Sequence, residues 1–184
     1  MLSCLGPLLA AGACTPILQA TRLDTGTEAT PTAQSARSIQ DLMERQIDPA
    51  ADVLWDSVAY IANESGIEER QPRTEEQWSA VRRSALLLVA ATKLLATPGL
   101  QVTSRRTPPG PGELPAGEIA RRIRVSRAAF EQLAQALRAA GLEAVAAIDA
   151  RDAERLMGAG GAIDAACEAC HMTYWYPEQR RPES

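Results

Sequence analysis

The chain holds a single histidine, His171, in 184 residues, and it is poor in rings: one phenylalanine, three tryptophans and three tyrosines. One imidazole excludes any chemistry or metal ligation that needs two histidines from this chain. Scarce aromatics beside an apolar share of 46%, much of it alanine, indicate slim helices with few large core side chains. A bulky buried ligand would fill such a core. Strong positive charge is missing too: the formal net charge is −4, which argues against general nucleic-acid binding and leaves redox partners or small molecules as contacts. The chain also lacks a phosphate-binding loop and any pairing of carboxylates with a histidine, so no enzyme active site is expected. The most apolar internal stretch, Leu86 to Ala91, is short for a membrane span and fits a core helix.

Against these absences stands Cys167-Glu168-Ala169-Cys170-His171. Cys-x-x-Cys-His is the spacing of a c-type haem attachment site. Haem offers two vinyl groups to thiols and an iron to an imidazole, and a helix places residues i, i+3 and i+4 on one face within about one turn, roughly 5.4 Å of axis. A redox dithiol would need a strand feeding a helix, and no period-two alternation precedes the motif. A structural zinc site would need a fourth ligand, and the remaining cysteines, Cys4 and Cys14, lie far away at the N-terminus. One covalently attached haem c, with its iron, is the expected cofactor.

The N-terminus reads as an export signal. Residues 1–13 are apolar and small, too short to span a bilayer, and end in Ala11-Gly12-Ala13, an Ala-x-Ala cleavage site, although no Lys or Arg precedes Arg22. Cys14 directly afterwards resembles a lipoprotein box, and residues 14–35, rich in Thr, Ala, Pro and Gln, suit a flexible tether. The expected location is the bacterial periplasm, with the chain either soluble or held to the membrane through a lipidated Cys14.

Residues 36–177 carry four helical patterns, followed by a disordered tail at 178–184. From about Ala36 to Ser65, Ile39, Leu42, Met43, Ile47, Leu54, Val58 and Ile61 follow helical spacing, and Gly66 ends the run. Asp48-Pro49 predicts a kink or a restart inside it, because proline cannot donate the helical hydrogen bond. Thr74-Glu75-Glu76-Gln77 is a capping box opening a helix through Trp78, Val81, Ala85, Leu88 and Leu95, stopped by Thr97-Pro98-Gly99. Residues 98–117, rich in proline and glycine, form a long connector crossing the ends of the helices or looping over a surface, with Arg105 and Arg106 solvated. A third helix from Ala116 places Ile119, Ile123, Ser126, Phe130, Leu133 and Leu137 on a narrow seam, with a solvated basic face at Arg121, Arg122, Arg124 and Arg127 and a candidate end at Gly141. The fourth helix, capped by Asp149 or Asp152, repeats Leu156, Gly160, Ile163, Cys167, Cys170 and Tyr174, so both thiols project inward. Gly158, Gly160 and Gly161 each weaken a helix by up to about 1 kcal/mol relative to alanine, which predicts either close backbone approach there or a loop with the last helix starting at Ala162.

A haem motif on the last helix of an all-α chain resembles the class II cytochromes c, the cytochrome c′ family, over roughly residues 36–176. The resemblance implies an antiparallel four-helix bundle with covalently bound haem: thioether bonds from Cys167 and Cys170, a proximal axial bond from His171 and a distal side built by the first helix. Low-spin relatives supply a distal methionine there, which Met43 would match; core packing is the other role for Met43. Tyr174 matches the aromatic that relatives carry three residues after the histidine, a candidate haem contact, whereas Trp175 replaces a basic residue and Ile39 stands where an arginine is common. The implied function is one-electron transfer between redox partner proteins, with a homodimer by analogy. The alternatives are a five-coordinate haem protein binding nitric oxide or carbon monoxide, and a helical lipoprotein without haem.

Overall fold

The computed structural model describes residues 38–105 and 108–179. The expected signal segment at 1–13, the expected tether with Cys14, and residues 180–184 of the expected tail lie outside the described residues. The fold is mostly helical with one small hairpin. Its elements are α1 (Ile39–Leu42), a π-helical turn (Met43–Ile47), α2 (Asp48–Ser57), β1 (Ala59–Asn63), β2 (Gly66–Arg70), α3 (Glu75–Leu95), α4 (Ala116–Val125), α5 (Arg127–Asp149), α6 (Ala153–Tyr174) and a closing 3-10 turn (Pro177–Gln179), which takes in the first residues of the expected tail.

The chain stays helical through Asp48-Pro49 instead of breaking. Pro49 has no N–H to give to the carbonyl of Arg45, and its ring would crowd that carbonyl in a tight turn. The turn before it is widened instead: the Asp48 N–H reaches back five residues to the Met43 carbonyl, and α2 resumes with Pro49 in its first turn. The helix then stops earlier than its apolar spacing predicts. The Ser57 hydroxyl donates to the Leu54 carbonyl at 2.7 Å, Val58 is extended, and residues 59–70 form an antiparallel hairpin with Ala59 opposite Arg70 and Asn63 opposite Gly66. Tyr60 and Ile61 therefore belong to a strand, and Gly66, at φ 125°, begins the second strand rather than ending a helix.

The capping box of α3 is present in both directions: the Gln77 N–H donates to Thr74 Oγ1 at 3.3 Å and the Thr74 N–H to Gln77 Oε1 at 3.1 Å. Trp78, Val81, Ala85, Leu88 and Leu95 are all buried, as their spacing requires. The expected third helix is two. Ser126 leaves the helical region at φ −118° and ψ 43° and closes α4 by donating both its N–H, at 3.0 Å, and its hydroxyl, at 2.8 Å, to the Arg122 carbonyl. Gly141 does not end α5. A Cβ there would sit 3.0 Å from Val89 Cγ2, so the glycine lets α5 press closely on α3.

α5 packs on α3 and α6, and α2 packs on the same two helices. The core runs between them through Leu54, Leu88, Phe130, Ile148, Leu156 and Ile163. The connector belongs to this assembly. Gln101 and Val102 carbonyls accept the N–H groups of Ile39 (2.8 Å) and Gln40 (3.0 Å), satisfying donors that the first turn of α1 leaves open, and the Leu114 N–H donates to the Trp175 carbonyl at 2.9 Å. Arg105 is exposed but not solitary: it pairs with Glu44 at 2.7 Å. Among the described residues no helix is long and apolar enough to cross a membrane.

Candidate haem site

α6 starts at Asp152, whose side chain accepts the Arg155 N–H at 2.9 Å, and it runs unbroken through the glycine cluster to Tyr174. The close approach predicted for that cluster occurs at Gly160. The Trp55 indole N–H donates to the Gly160 carbonyl at 3.0 Å, and a Cβ on Gly160 would lie 3.3 Å from Trp55 Cδ1. Gly158 and Gly161 have open space around them.

Because the helix is continuous, Cys167, Cys170 and His171 share one face. Both cysteines are half-buried free thiols, not joined to each other. They line a narrow apolar crevice whose far wall includes Phe130, Leu133 and Leu137 of α5. Met43 and His171 line the same crevice and also a larger cavity of about 510 Å³ that opens beyond it. Met43 and His171 thus meet at one place from separate segments. Met157 and Met172 line neither space.

Burial pushes the Cys167 thiol up to about 11, with the carboxylates of Asp48 and Asp164 adding to it, and burial together with neighbouring Cys167 pushes Cys170 up to about 12. These are neutral thiols. A dithiol evolved for exchange would be shifted the other way, towards the thiolate that attacks. Asp48 is exposed, yet its carboxyl is raised, chiefly by partial loss of water; His171 pulls it down while Asp52 and Glu44 push it up.

Tyr174 is placed differently from a cavity residue. Its side chain is buried, its ring meets Phe130 edge-on at 5.3 Å, and its hydroxyl shares a 3.0 Å hydrogen bond with Ser126 Oγ. It ties the end of α6 to the break between α4 and α5 and lines neither cavity nor crevice. The next residue, Trp175, is the aromatic beside the imidazole, at 6.2 Å between ring centres, and it lines the larger cavity. Asp48 and the connector residues Val102, Glu113 and Leu114 line that cavity as well. Sequence reading did not assign Asp48 or the connector to the site, because both reach it only through tertiary packing.

Three arginines of the expected basic face are paired with carboxylates on the same helices. Arg121 and then Arg122 hold the Glu118 carboxyl down to about 2, and Arg127 pairs with Glu131 at 2.7 Å. Among the described residues, no cluster of three or more His, Cys, Asp or Glu side chains is arranged to hold a bare metal ion. Compared with protein-family models, with curated proteins and with solved structures, the chain matches none.

The residues present fit a covalently held haem. Two neutral thiols one helical turn apart face an apolar crevice, an imidazole follows on the same face, and a thioether stands at the same opening from another segment. The crevice that the cysteines line is only about 10 Å³, and the adjoining cavity of about 510 Å³, lined by Met43 and His171 but by neither cysteine, lies within the range of roughly 300–1,000 Å³ usual for ligand sites.

Proposed function

We propose that the chain is a monohaem c-type cytochrome of class II type, an antiparallel four-helix bundle formed by α2, α3, α5 and α6, exported to the periplasm and carrying one electron between redox partner proteins. The carrying observation is that Cys167, Cys170 and His171 lie on one unbroken helix and face the crevice that Met43 enters from the first helical segment. Haem, when bound, would supply a one-electron Fe(III)/Fe(II) couple. Cys167 and Cys170 would hold it covalently through thioether bonds to its two vinyl groups. His171 would hold its iron through the imidazole and Met43 through its thioether, a ligand that raises the reduction potential. Trp175 would cover the imidazole, and Phe130, Leu133 and Leu137 would keep water from the ring face. Pairing into a homodimer and a lipid anchor at Cys14 are further parts of the proposal.

One observation favours a second reading. The cavity beside Met43 and His171 has room for a small ligand, as a five-coordinate protein binding nitric oxide or carbon monoxide needs. Absorption spectra of the oxidised and reduced protein separate the two. A low-spin reduced spectrum that Met43→Ala abolishes supports electron transfer, whereas a high-spin ferrous form that takes up carbon monoxide without displacing a ligand overturns the Met43 assignment. Haem that does not survive acid-acetone extraction overturns both readings.

A further inference from the structure

We propose that Asp48 sets the reduction potential of this site: the π turn brings its carboxylate onto the wall shared by Met43 and His171, where its negative charge favours ferric over ferrous iron. The inference rests on the haem reading above and concerns a residue outside the ligand set.

The backbone makes the placement. At 3.6 residues per turn, two α-helical residues five apart point about 140° away from each other. The Asp48 N–H instead bonds to the Met43 carbonyl, so five residues close one widened turn and bring the two side chains towards one face. Both line the larger cavity with His171. Pro49 is the residue that forces the widening, so the same dipeptide that shapes the helix delivers the carboxylate.

The charge is not neutralised locally. Among the described residues no lysine or arginine forms an ion pair with Asp48, and α2 contains no basic residue. The charges that act on it from its own segment, Glu44 and Asp52, are of the same sign. On α6, which packs against α2, the stretch from Leu156 to Tyr174 carries Asp164 and Glu168 and no cation other than His171 when it is protonated. Ferric iron has one more positive charge than ferrous iron. An uncompensated carboxylate on the cavity wall therefore stabilises the oxidised form, by an amount moderated by solvent, since Asp48 is exposed.

The test is a reductive titration of holoprotein at pH 7, followed by haem absorbance, for wild type, Asp48→Asn, Asp48→Ser, Asp48→Glu and Asp52→Asn. Asp52 carries the same charge one turn further on and does not line the cavity. At a fixed applied potential, both neutral Asp48 variants should raise the ferrous-to-ferric ratio at least about threefold, which is about 28 mV at 59 mV per tenfold for one electron. Asp48→Glu should stay near wild type, and Asp52→Asn should shift the ratio less than half as far. An unchanged ratio in the neutral variants, or an equal shift in Asp52→Asn, overturns the assignment; where one neutral variant does not fold, the other decides. Wild-type protein without covalent haem removes the underlying reading first, and that is seen before any variant is compared.

Discussion

From Leu156 to Ile163, α6 is clamped: Leu156, Ala159 and Ile163 are buried and the Trp55 indole is bonded to the Gly160 carbonyl. From Ala166 to His171 the same helix, with the same backbone, borders a crevice and an open cavity, and none of its side chains is fully buried. Tyr174 then restores tight packing against Phe130 and Ser126. The chemistry-bearing stretch is thus suspended between two anchors. Fixed at both ends, it holds two thiols against a crevice of only about 10 Å³ and an imidazole at the edge of the larger cavity of about 510 Å³. Rigidity and room, which usually oppose each other, are separated along one helix.

The strongest way to break this contrast is to cut into the clamped half. Ile163 is fully buried, and Ile163→Ala should cost about 2–5 kcal/mol in urea unfolding of the apoprotein. Met43→Ala, at the open end, should cost less than half of that, because its side chain borders free volume and is only half-buried. Equal losses at the two sites would remove the distinction between a packed and an open half.

Proton linkage sharpens the same contrast at the open end. The Cys167 and Cys170 thiols are raised from the ordinary value of 9.0 to about 11 and about 12 by burial, then by Asp48 and Asp164 for the first and by Cys167 for the second. The folded chain therefore holds these protons more tightly than the unfolded chain does. The resulting stability is complete below about pH 9 and is lost as the pH rises from there towards the raised values. The melting temperature of the apoprotein should fall above pH 9, and the fall should be largely absent in Cys167→Ser/Cys170→Ser. Protein with haem attached should also lack it, since thioethers do not titrate. A fall of the same size in the double variant would mean that other groups govern the alkaline limit.

What could be read beforehand follows from how local each signal is. The α3 start and the sharing of one face by Cys167, Cys170 and His171 depend on residues three or four apart and were readable, whereas the α6 cap was narrowed only to Asp149 or Asp152, of which Asp152 caps the helix. The hairpin was not. Leu54, Val58 and Ile61 fall on helical spacing, yet Val58-Ala59-Tyr60-Ile61 also has the β-branched and aromatic character of a strand, and a run this short fits both periods. Pro49 announced a disturbance without saying whether the helix would kink, restart or widen. Its widening is what places Asp48 on the cavity, so that part of the site was invisible for the same reason the π turn was. The connector, which reads as a mere crossing, supplies a cavity wall through backbone bonds to α1 and to Trp175, contacts that no local pattern encodes.

The smallest expected effect isolates the anchor itself. Gly158 and Gly160 lie two residues apart in the same helix and carry the same intrinsic penalty, so Gly158→Ala, with nothing within 4 Å of the new Cβ, should stabilise the protein by up to about 1 kcal/mol. Gly160→Ala gains the same propensity but puts its methyl 3.3 Å from Trp55 Cδ1, against an indole held in place by its 3.0 Å bond to the Gly160 carbonyl. The ring cannot withdraw without weakening that bond, so the gain should vanish or reverse. Combining Gly160→Ala with Trp55→Phe removes the indole N–H and with it the bond that holds the ring against Gly160. If the clamp is real, the alanine penalty measured by thermal unfolding should shrink in that background, and if it does not, the glycine is there for a reason other than Trp55.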